Sequence, residues 1–154
     1  SDPARIAWDA AAEPLIAGFN RFGECYAAAM TRRFCWRLGV EARGIEPDSA
    51  LIAAAEKTMR EGETGPDAFF FRHRGGRDAA GALAEALDGY RPIGDDHPYW
   101  SDPAPQSMLI DEVEAIWAAI AERDDWQPLM AKVAAVRRMG EALGEPPVPS
   151  GHAA

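Results

Sequence analysis

Residues 15–34 have the sequence LIAGFNRFGECYAAAMTRRF, and this stretch decides the fold class. Large apolar side chains recur in it at steps of three and four residues: Leu15, Phe19, Phe22, Tyr26, Met30 and Phe34. That period places them on one face of an α-helix, and Gly39 is a typical helix stop. The spacing predicts a long helix over about 14–38. Because the stripe is wide and aromatic, we expect this helix to be central.

The chain before this stretch is also expected to be helical. A helix over about 4–13 would lead into the long one, with a kink or a restart at Pro14, because proline removes a backbone N–H. Downstream, apolar residues at helical spacing and turn residues between them predict five further helices, over about 48–61, 67–73, 77–88, 107–122 and 125–143. Expected start signals include Ser107 for the fifth helix and Asp124 or Asp125 for the sixth.

No segment of useful length alternates apolar and polar residues, so we expect no β-sheet. The sequence predicts an all-α fold, a single compact domain of about six helices over 1–143, followed by an extended tail over 144–154. A loop over 88–106 is rich in proline and aromatic residues. Its length indicates that it is either functional or pinned down by its aromatic side chains. Tyr99 and Trp100 are its best candidates for contact with another chain.

The overall charge argues against two classes of partner. The chain has 16 basic and 25 acidic residues and a formal net charge of −9. This balance repels phosphate backbones and anionic lipids, so neither nucleic acid nor a membrane surface is an expected partner. No apolar run approaches the ~20 residues of a membrane span. The first residues lack the features of a signal peptide and resemble an internal sequence, as if a longer chain preceded them.

The two cysteines indicate a reducing compartment. Cys25 and Cys35 fall within the predicted long helix, ten residues apart, which separates them by ~15 Å along its axis. A disulfide cannot span that distance, so we expect two buried thiols and a cytoplasmic protein.

Motifs that carry chemistry are scarce. The three histidines are isolated from one another, and the sequence has no Cys-x-x-Cys, no phosphate-binding glycine loop and no nucleophile elbow. The densest cationic cluster is Arg72-His73-Arg74-Gly75-Gly76-Arg77. Two interpretations stay open for Arg72, His73, Arg74 and Arg77. They could clamp a phosphate or carboxylate, or they could complement the negative end of a helix.

Several acidic pairs are better explained as helix caps or first-turn residues than as acid–base catalysts. This holds for Asp124-Asp125 and for Asp111, Glu112 and Glu114. Asp95-Asp96, in the proline-rich loop, stays open as a solvated pair or a functional one. Trp8, Trp36, Trp117 and Trp126 are expected to pack in the core or at a seam.

Two segments in order resemble the C-terminal region of the selenoprotein-O-like (SelO) family. The first comprises Phe19-Asn20-Arg21-Phe22, Tyr26, Arg37-Leu38-Gly39-Val40, Asp48, Leu51-Ile52, Met59 and Asp67-Ala68-Phe69-Phe70-Phe71-Arg72. The second comprises Val113-Glu114-Ala115-Ile116, Ala121-Glu122, Asp125-Trp126 and Pro128-Leu129. The sequence departs from the family at Asp102-Pro103 and Ile110-Asp111, where the family pattern has Asn-Pro and Arg-Asn. Its tail also has no cysteine.

The resemblance implies a parent protein with a kinase-like fold that transfers AMP from ATP to protein hydroxyls, with Mg²⁺ or Mn²⁺ as the metal. It places the catalytic residues upstream, so this chain alone would hold no catalytic residue, no metal and no cofactor. Its expected partners are the missing N-terminal catalytic part, a protein substrate and further copies of itself. The alternatives are a standalone helical module that docks a partner through the 90–100 loop, or a small enzyme with a cleft where Asp95, Asp96 or the Arg72–Arg77 cluster converge.

Overall fold

The computed structural model describes residues 3–94 and 96–147, with side chains from residue 12 onward. Six α-helices lie in this part of the chain: α1 (Pro3–Leu38), α2 (Ile45–Glu61), α3 (Pro66–Arg72), α4 (Gly81–Ala86), α5 (Ile110–Arg123) and α6 (Gln127–Leu143). Two short 3-10 turns lie at Arg74–Gly76 and Pro98–Ser101. The described residues form no β-strand, only an isolated antiparallel bridge between Val40 and Pro92. The all-α prediction is confirmed.

The first helix is longer than the sequence indicated. It begins at Pro3 and continues through Pro14 to Leu38, so the predicted restart at Pro14 is wrong. Proline inside a helix removes the hydrogen bond to the carbonyl four residues earlier, here that of Ala10. The other rungs of the helix ladder remain available on both sides of that position, and the two predicted helices are one.

Other helix bounds differ because of local backbone geometry. The expected helix over 77–88 is only α4, since Gly75, Gly76 and Asp78 all have positive φ and turn the chain first. Helix α5 begins three residues later than expected and is not capped by Ser107. The Asp125 carboxylate accepts the backbone N–H of Gln127 at 3.0 Å, which supports the predicted acidic start of α6. Of the predicted tail, residues 148–154 lie outside the described part.

The first core joins α1, α2, α3 and α4. It is built on seven buried residues: Cys35, Leu38, Val40, Leu51, Ala55, Phe69 and Leu83. Partly buried side chains, including Phe34 and Phe70, complete it with an edge-to-face contact of 5.1 Å between ring centroids. These positions follow the helical period of α1 and α2, so the first core is the part of the fold that the sequence pattern specifies most directly.

The second core is smaller and joins the 88–106 loop to α6. Tyr99, Trp100 and Ala142 are its buried members, and Phe71, Met139 and Leu143 pack against them. Helix α3 links the two cores, because Phe69 lies in the first and Phe71 packs on the second.

The prediction that the long helix is central holds only for its last two turns. Thr31, Cys35 and Leu38 are buried, whereas every described residue over 13–27 is exposed. The apolar stripe itself is open to solvent, with Phe19 74% exposed and Phe22 68% exposed. The segment of α1 over 13–27 therefore projects from the helical body formed by the described residues that follow.

Gly39 at the end of α1 should be intolerant of any side chain. Its φ is +76°, and a Cβ there would lie 2.5 Å from Arg74 Nε. We expect Gly39→Ala to lower the free energy of unfolding by on the order of 3 kcal/mol, through left-handed strain and overpacking. Urea denaturation followed by circular dichroism measures the change.

Gly140→Ala is the matched control for this substitution. Gly140 lies inside α6, and a Cβ there would have no atom within 4 Å. Alanine should therefore stabilise the helix by about 0.5–1 kcal/mol. Equal effects of the two substitutions would contradict the described packing at Gly39.

Candidate functional site

Arg74, from the predicted cationic cluster, is an internal brace and not a ligand site. Its side chain is only 1% exposed. Arg74 Nη1 donates to the backbone carbonyls of Trp36 at 2.5 Å and Arg37 at 3.1 Å, which lie in the last turn of α1. Nε and Nη2 donate to the carbonyl of Gly94 at 3.3 and 3.1 Å. The cation thus complements the negative end of α1 and holds the 88–106 loop against it.

Close packing around Arg74 explains two glycines and one tryptophan. The guanidinium carbon lies 4.7 Å from the centroid of the Trp100 ring, a cation–π geometry. Gly39 and Gly94 both have positive φ, and a Cβ at either would approach the Arg74 side chain to 3.0 Å or less. We call Arg74, Trp100, Gly39, Gly94 and the end of α1 the arginine junction.

The neighbours of Arg74 in the cluster are also engaged within the chain. Arg77 donates to the carbonyls of Trp100 at 3.0 Å and Phe71 at 3.1 Å. The buried His73 places Nδ1 2.9 Å from the carbonyl of Arg77. Arg72 is exposed and lies 3.9 Å from the Asp78 carboxylate. Of the two interpretations of this cluster, helix-end complementarity describes Arg74, although the helix is α1. Arg77 directs its donors to backbone carbonyls, and an anion site at the exposed Arg72 stays a prediction.

Tyr99 and Trp100 face inward. They are 1% and 6% exposed, so the expectation that they contact another chain directly does not hold in this structure. Trp100 Nε1 donates to the Gly94 carbonyl at 3.1 Å, and the Tyr99 hydroxyl accepts the N–H of Gln106 at 2.9 Å. Their rings pack edge to face at 4.9 Å.

The 88–106 loop is pinned from both sides. Besides its two buried rings, its Asp102 forms a bidentate ion pair with Arg138 of α6. Asp96 is exposed, and Asp95 lies outside the described residues. Arg74 and Arg77 donate to backbone carbonyls, so they do not support a cleft that would join them to this acidic pair. The loop is long because it builds the second core. Its two buried rings are not available for docking a partner.

A second buried polar group was missed by sequence reasoning. Asp48, in the first turn of α2, is 1% exposed and accepts the backbone N–H groups of Arg43 at 2.9 Å and Gly44 at 3.1 Å. It also accepts the Tyr90 hydroxyl at 2.8 Å. A carboxylate that reaches back to the residues before its own helix resembles one arm of a capping box. The spacing Gly44–Asp48 was the signal available.

Asp48 also acts on the neighbouring thiol. Burial, then the charge and hydrogen bond of Asp48, raise the pKa of Cys35 to about 12. Burial and Asp48 likewise raise the pKa of Tyr90. Cys35 is therefore a protonated, inert thiol at neutral pH, as its predicted burial suggests. Cys25 is exposed, so its predicted burial is wrong.

The described residues contain no group of three or more His, Cys, Asp or Glu side chains placed to hold a metal ion. Lys132 is largely buried, but its Nζ is held by the Glu112 carboxylate at 2.7 Å and by Gln106. Among the described helices, none combines the length and the apolar character needed to cross a bilayer.

What the described surface offers instead is exposed apolar area on two helices. The first patch is the α1 stripe, defined by Leu15, Phe19, Phe22, Tyr26 and Met30. The second is the α5 face, defined by Leu109, Ile110, Val113 and Trp117; Trp126 and Met130, around the start of α6, are exposed as well. The predicted burial of Trp117 and Trp126 is wrong, whereas Trp36 is half-buried as a seam residue.

The α5 face is poorly covered by the rest of the chain. Leu109, Val113 and Trp117 recur every four residues on one side of the helix, and Trp117 is 66% exposed. Ala119 is the buried residue of α5. Monomeric proteins rarely expose a contiguous apolar patch of this kind, and tryptophan and methionine are enriched at protein interfaces. The α5 face and the α1 stripe are candidate docking surfaces for polypeptide.

Comparisons with models of known protein families, with characterised proteins and with solved structures found no match to this chain.

The Cys35–Asp48–Tyr90 group should make stability fall at alkaline pH. Both folded-state pKa values lie above their unfolded values, so the contribution is fully present below the unfolded pKa and is lost as pH rises through the folded one. For Cys35 this window runs from pH 9.0 to about 12. We expect the urea midpoint of the Cys35→Ala variant to fall less between pH 8.5 and 11 than that of the unsubstituted chain.

Cys25→Ala is the control, because this exposed thiol has no such contacts. Its midpoint should follow the pH dependence of the unsubstituted chain. A flatter profile for Cys25→Ala than for Cys35→Ala would contradict the assignment.

Proposed function

We propose that this chain is a structural and regulatory helical region of a SelO-like protein adenylyltransferase, and that it is catalytically inert alone. The order of the two sequence segments described above supports the family. The observation that carries the structural role is the α5 face, an apolar surface that this chain leaves uncovered.

The uncovered face has the chemistry of a permanent interface. When another surface covers exposed tryptophan and aliphatic side chains, the hydrophobic effect stabilises the contact by about 25 cal/mol per Å² of apolar surface buried. Trp117, 66% exposed, lies between Val113 and the end of α5 and is the natural anchor. In this proposal the catalytic part of the parent protein packs on the α5 face, and α5 and α6 form the surface on which it packs.

In the same proposal, the groups that perform AMP transfer lie in a different part of the parent protein. AMP transfer needs a lysine on the phosphates and acidic or amide groups on a divalent metal. In the described part of this chain, Lys132 is bound to Glu112, and Arg74 and Arg77 bind backbone carbonyls. The family resemblance places ATP and Mg²⁺ or Mn²⁺ in the catalytic part, and in this proposal a protein substrate is the acceptor.

The test uses the longer protein encoded by the reading frame that contains these residues. Purified with Mg²⁺ or Mn²⁺, it should incorporate label from ATP carrying ³²P at the α-phosphate, whereas the 154-residue chain should not. Trp117→Glu in the longer protein should reduce incorporation by about tenfold or more, because a buried charge weakens the interface that holds the catalytic part.

Glu122→Gln is the control variant, since Glu122 is an exposed residue of α5 whose ion pair with Arg123 is at the surface. It should leave incorporation unchanged. Labelling by the 154-residue chain alone, or a longer protein that incorporates no label, would overturn the proposal.

A further inference from the structure

The α1 stripe faces away from the helical body. Among the side chains of α1 that the structure describes, from residue 12 onward, Thr31, Cys35 and Leu38 are the buried ones. At about 100° per residue, the line through Phe19, Phe22 and Tyr26 lies well over a third of a turn from that buried side. The stripe is therefore not a ragged edge of the first core. It is a second apolar face on the same helix, and no described element of the chain covers it.

Spacing along the stripe suits packing against one other helix. Four residues of the stripe, Leu15, Phe19, Phe22 and Tyr26, follow one another at steps of four, three and four residues, and Ala29 continues this line by a further step of three. This is the heptad spacing of helices that pack side by side as a coiled coil. The residues on either side of the line, Ile16, Gly18, Gly23, Cys25 and the stripe's own Met30, carry no charge. A partner selected by charge would find no complementary group there.

Two glycines beside the stripe lie in open space. A Cβ at Gly18 or Gly23 would meet no atom within 4 Å, and neither has a positive φ. Glycine inside a helix costs roughly 0.5–1 kcal/mol relative to alanine. The absence of side chains beside the Phe19 and Phe22 rings leaves space for large rings of another helix to approach.

These features fit a second copy of the same helix in the opposite direction. We propose that the chain forms a symmetric dimer through antiparallel pairing of α1. With the two-fold axis midway between Phe19 and Phe22, Phe19 packs on Phe22 of the partner subunit, and Leu15 packs on Tyr26 of the partner subunit. At both ends, Ala12 meets Ala29 of the partner subunit. Each layer joins different positions, so one surface is complementary to itself.

The groove at the base of the stripe continues the same surface. It is formed by α1, α2 and α3, and its lining is part apolar (Met30, Phe34, Ile52, Met59, Pro66 and Phe70) and part charged (Arg33, Arg37 and Glu56). In this register the first turns of the partner's α1 run alongside residues 30–38 and so reach the groove. A partner helix thus meets both apolar and charged side chains beyond the stripe.

The exposed area is a large part of what a stable dimer needs. Leu15, Ile16, Phe19, Phe22, Tyr26 and Met30 are each between half and three-quarters exposed. At roughly 150–250 Å² for a whole aromatic side chain, the three rings alone expose about 300–500 Å², and the three aliphatic side chains add to this. A standard interface buries about 800 Å² on each partner.

The antiparallel arrangement also separates the charge. Each chain has a net charge of −9, carried largely outside the stripe. At 1.5 Å rise per residue, the two points where α1 enters its body would lie roughly 30 Å apart. That exceeds the screening length of about 8 Å at physiological salt, whereas a parallel pair would place the two bodies side by side. The dimer uses α1 and is independent of the proposed role of α5.

Sedimentation equilibrium of the 154-residue chain tests the dimer. We expect a dimer at about 50 µM, and Phe22→Glu should weaken it by about 100-fold or more, since it places two charges at the centre of the pair. Circular dichroism checks that the body remains folded. Trp117→Glu, on the α5 face, is the matched control and should leave the dimer intact. A monomer, or a dimer that Trp117→Glu dissociates while Phe22→Glu does not, overturns the proposal.

Cross-linking tests the direction of pairing. All variants carry Cys25→Ser. When chains with Leu15→Cys are mixed with chains with Tyr26→Cys, a short bismaleimide should join one variant to the other. It should join neither single variant to itself, and Cys35 is buried and does not compete. Covalent dimers of the Leu15→Cys variant alone would indicate parallel helices and overturn the antiparallel register. The AMP-transfer assay is unaffected by either result, so failure here is distinguishable from failure of the proposed function.

Discussion

A buried guanidinium group at the end of α1 sets the positions of the elements around it. Arg74 donates to the carbonyls of Trp36, Arg37 and Gly94, so one side chain joins the last turn of a 36-residue helix to the 88–106 loop. Taking a charge out of water is costly unless acceptors replace its hydration, and helix-end carbonyls are well suited to that. The second core depends on this junction, because Trp100 packs on the same guanidinium.

The helical pattern of the chain was predictable where it is local. Apolar spacing and turn residues place α2, α3 and α6 within a few residues of their observed bounds, and Asp125 acts at the start of α6 as its residue type suggests. Helix α4 was overestimated because the left-handed backbone at Gly75, Gly76 and Asp78 delays its start. Periodicity shows that a helix has an apolar face, but it does not show what covers that face. In α1 and α5, the described residues of this chain leave the apolar face uncovered.

The candidate site was less predictable, because it depends on contacts between distant residues. Arginines followed by glycines have the same composition in an anion site and in an internal brace. What distinguishes them is Gly94, 20 positions away, and Trp36, 38 positions away. Asp48 and Tyr90 meet across 42 positions. The described residues thus use their polar chemistry for contacts within the chain and leave apolar surface exposed on α1 and α5.

Pro14 gives α1 an uneven resistance to unwinding. Because proline supplies no N–H, the Ala10 carbonyl has no rung beneath it, and the helix is weakest where this gap occurs. On heating, the helix should bend or open at this gap before it does so elsewhere along α1. The turns on the two sides of Pro14 can therefore change direction relative to each other while the aromatic turns keep their alignment.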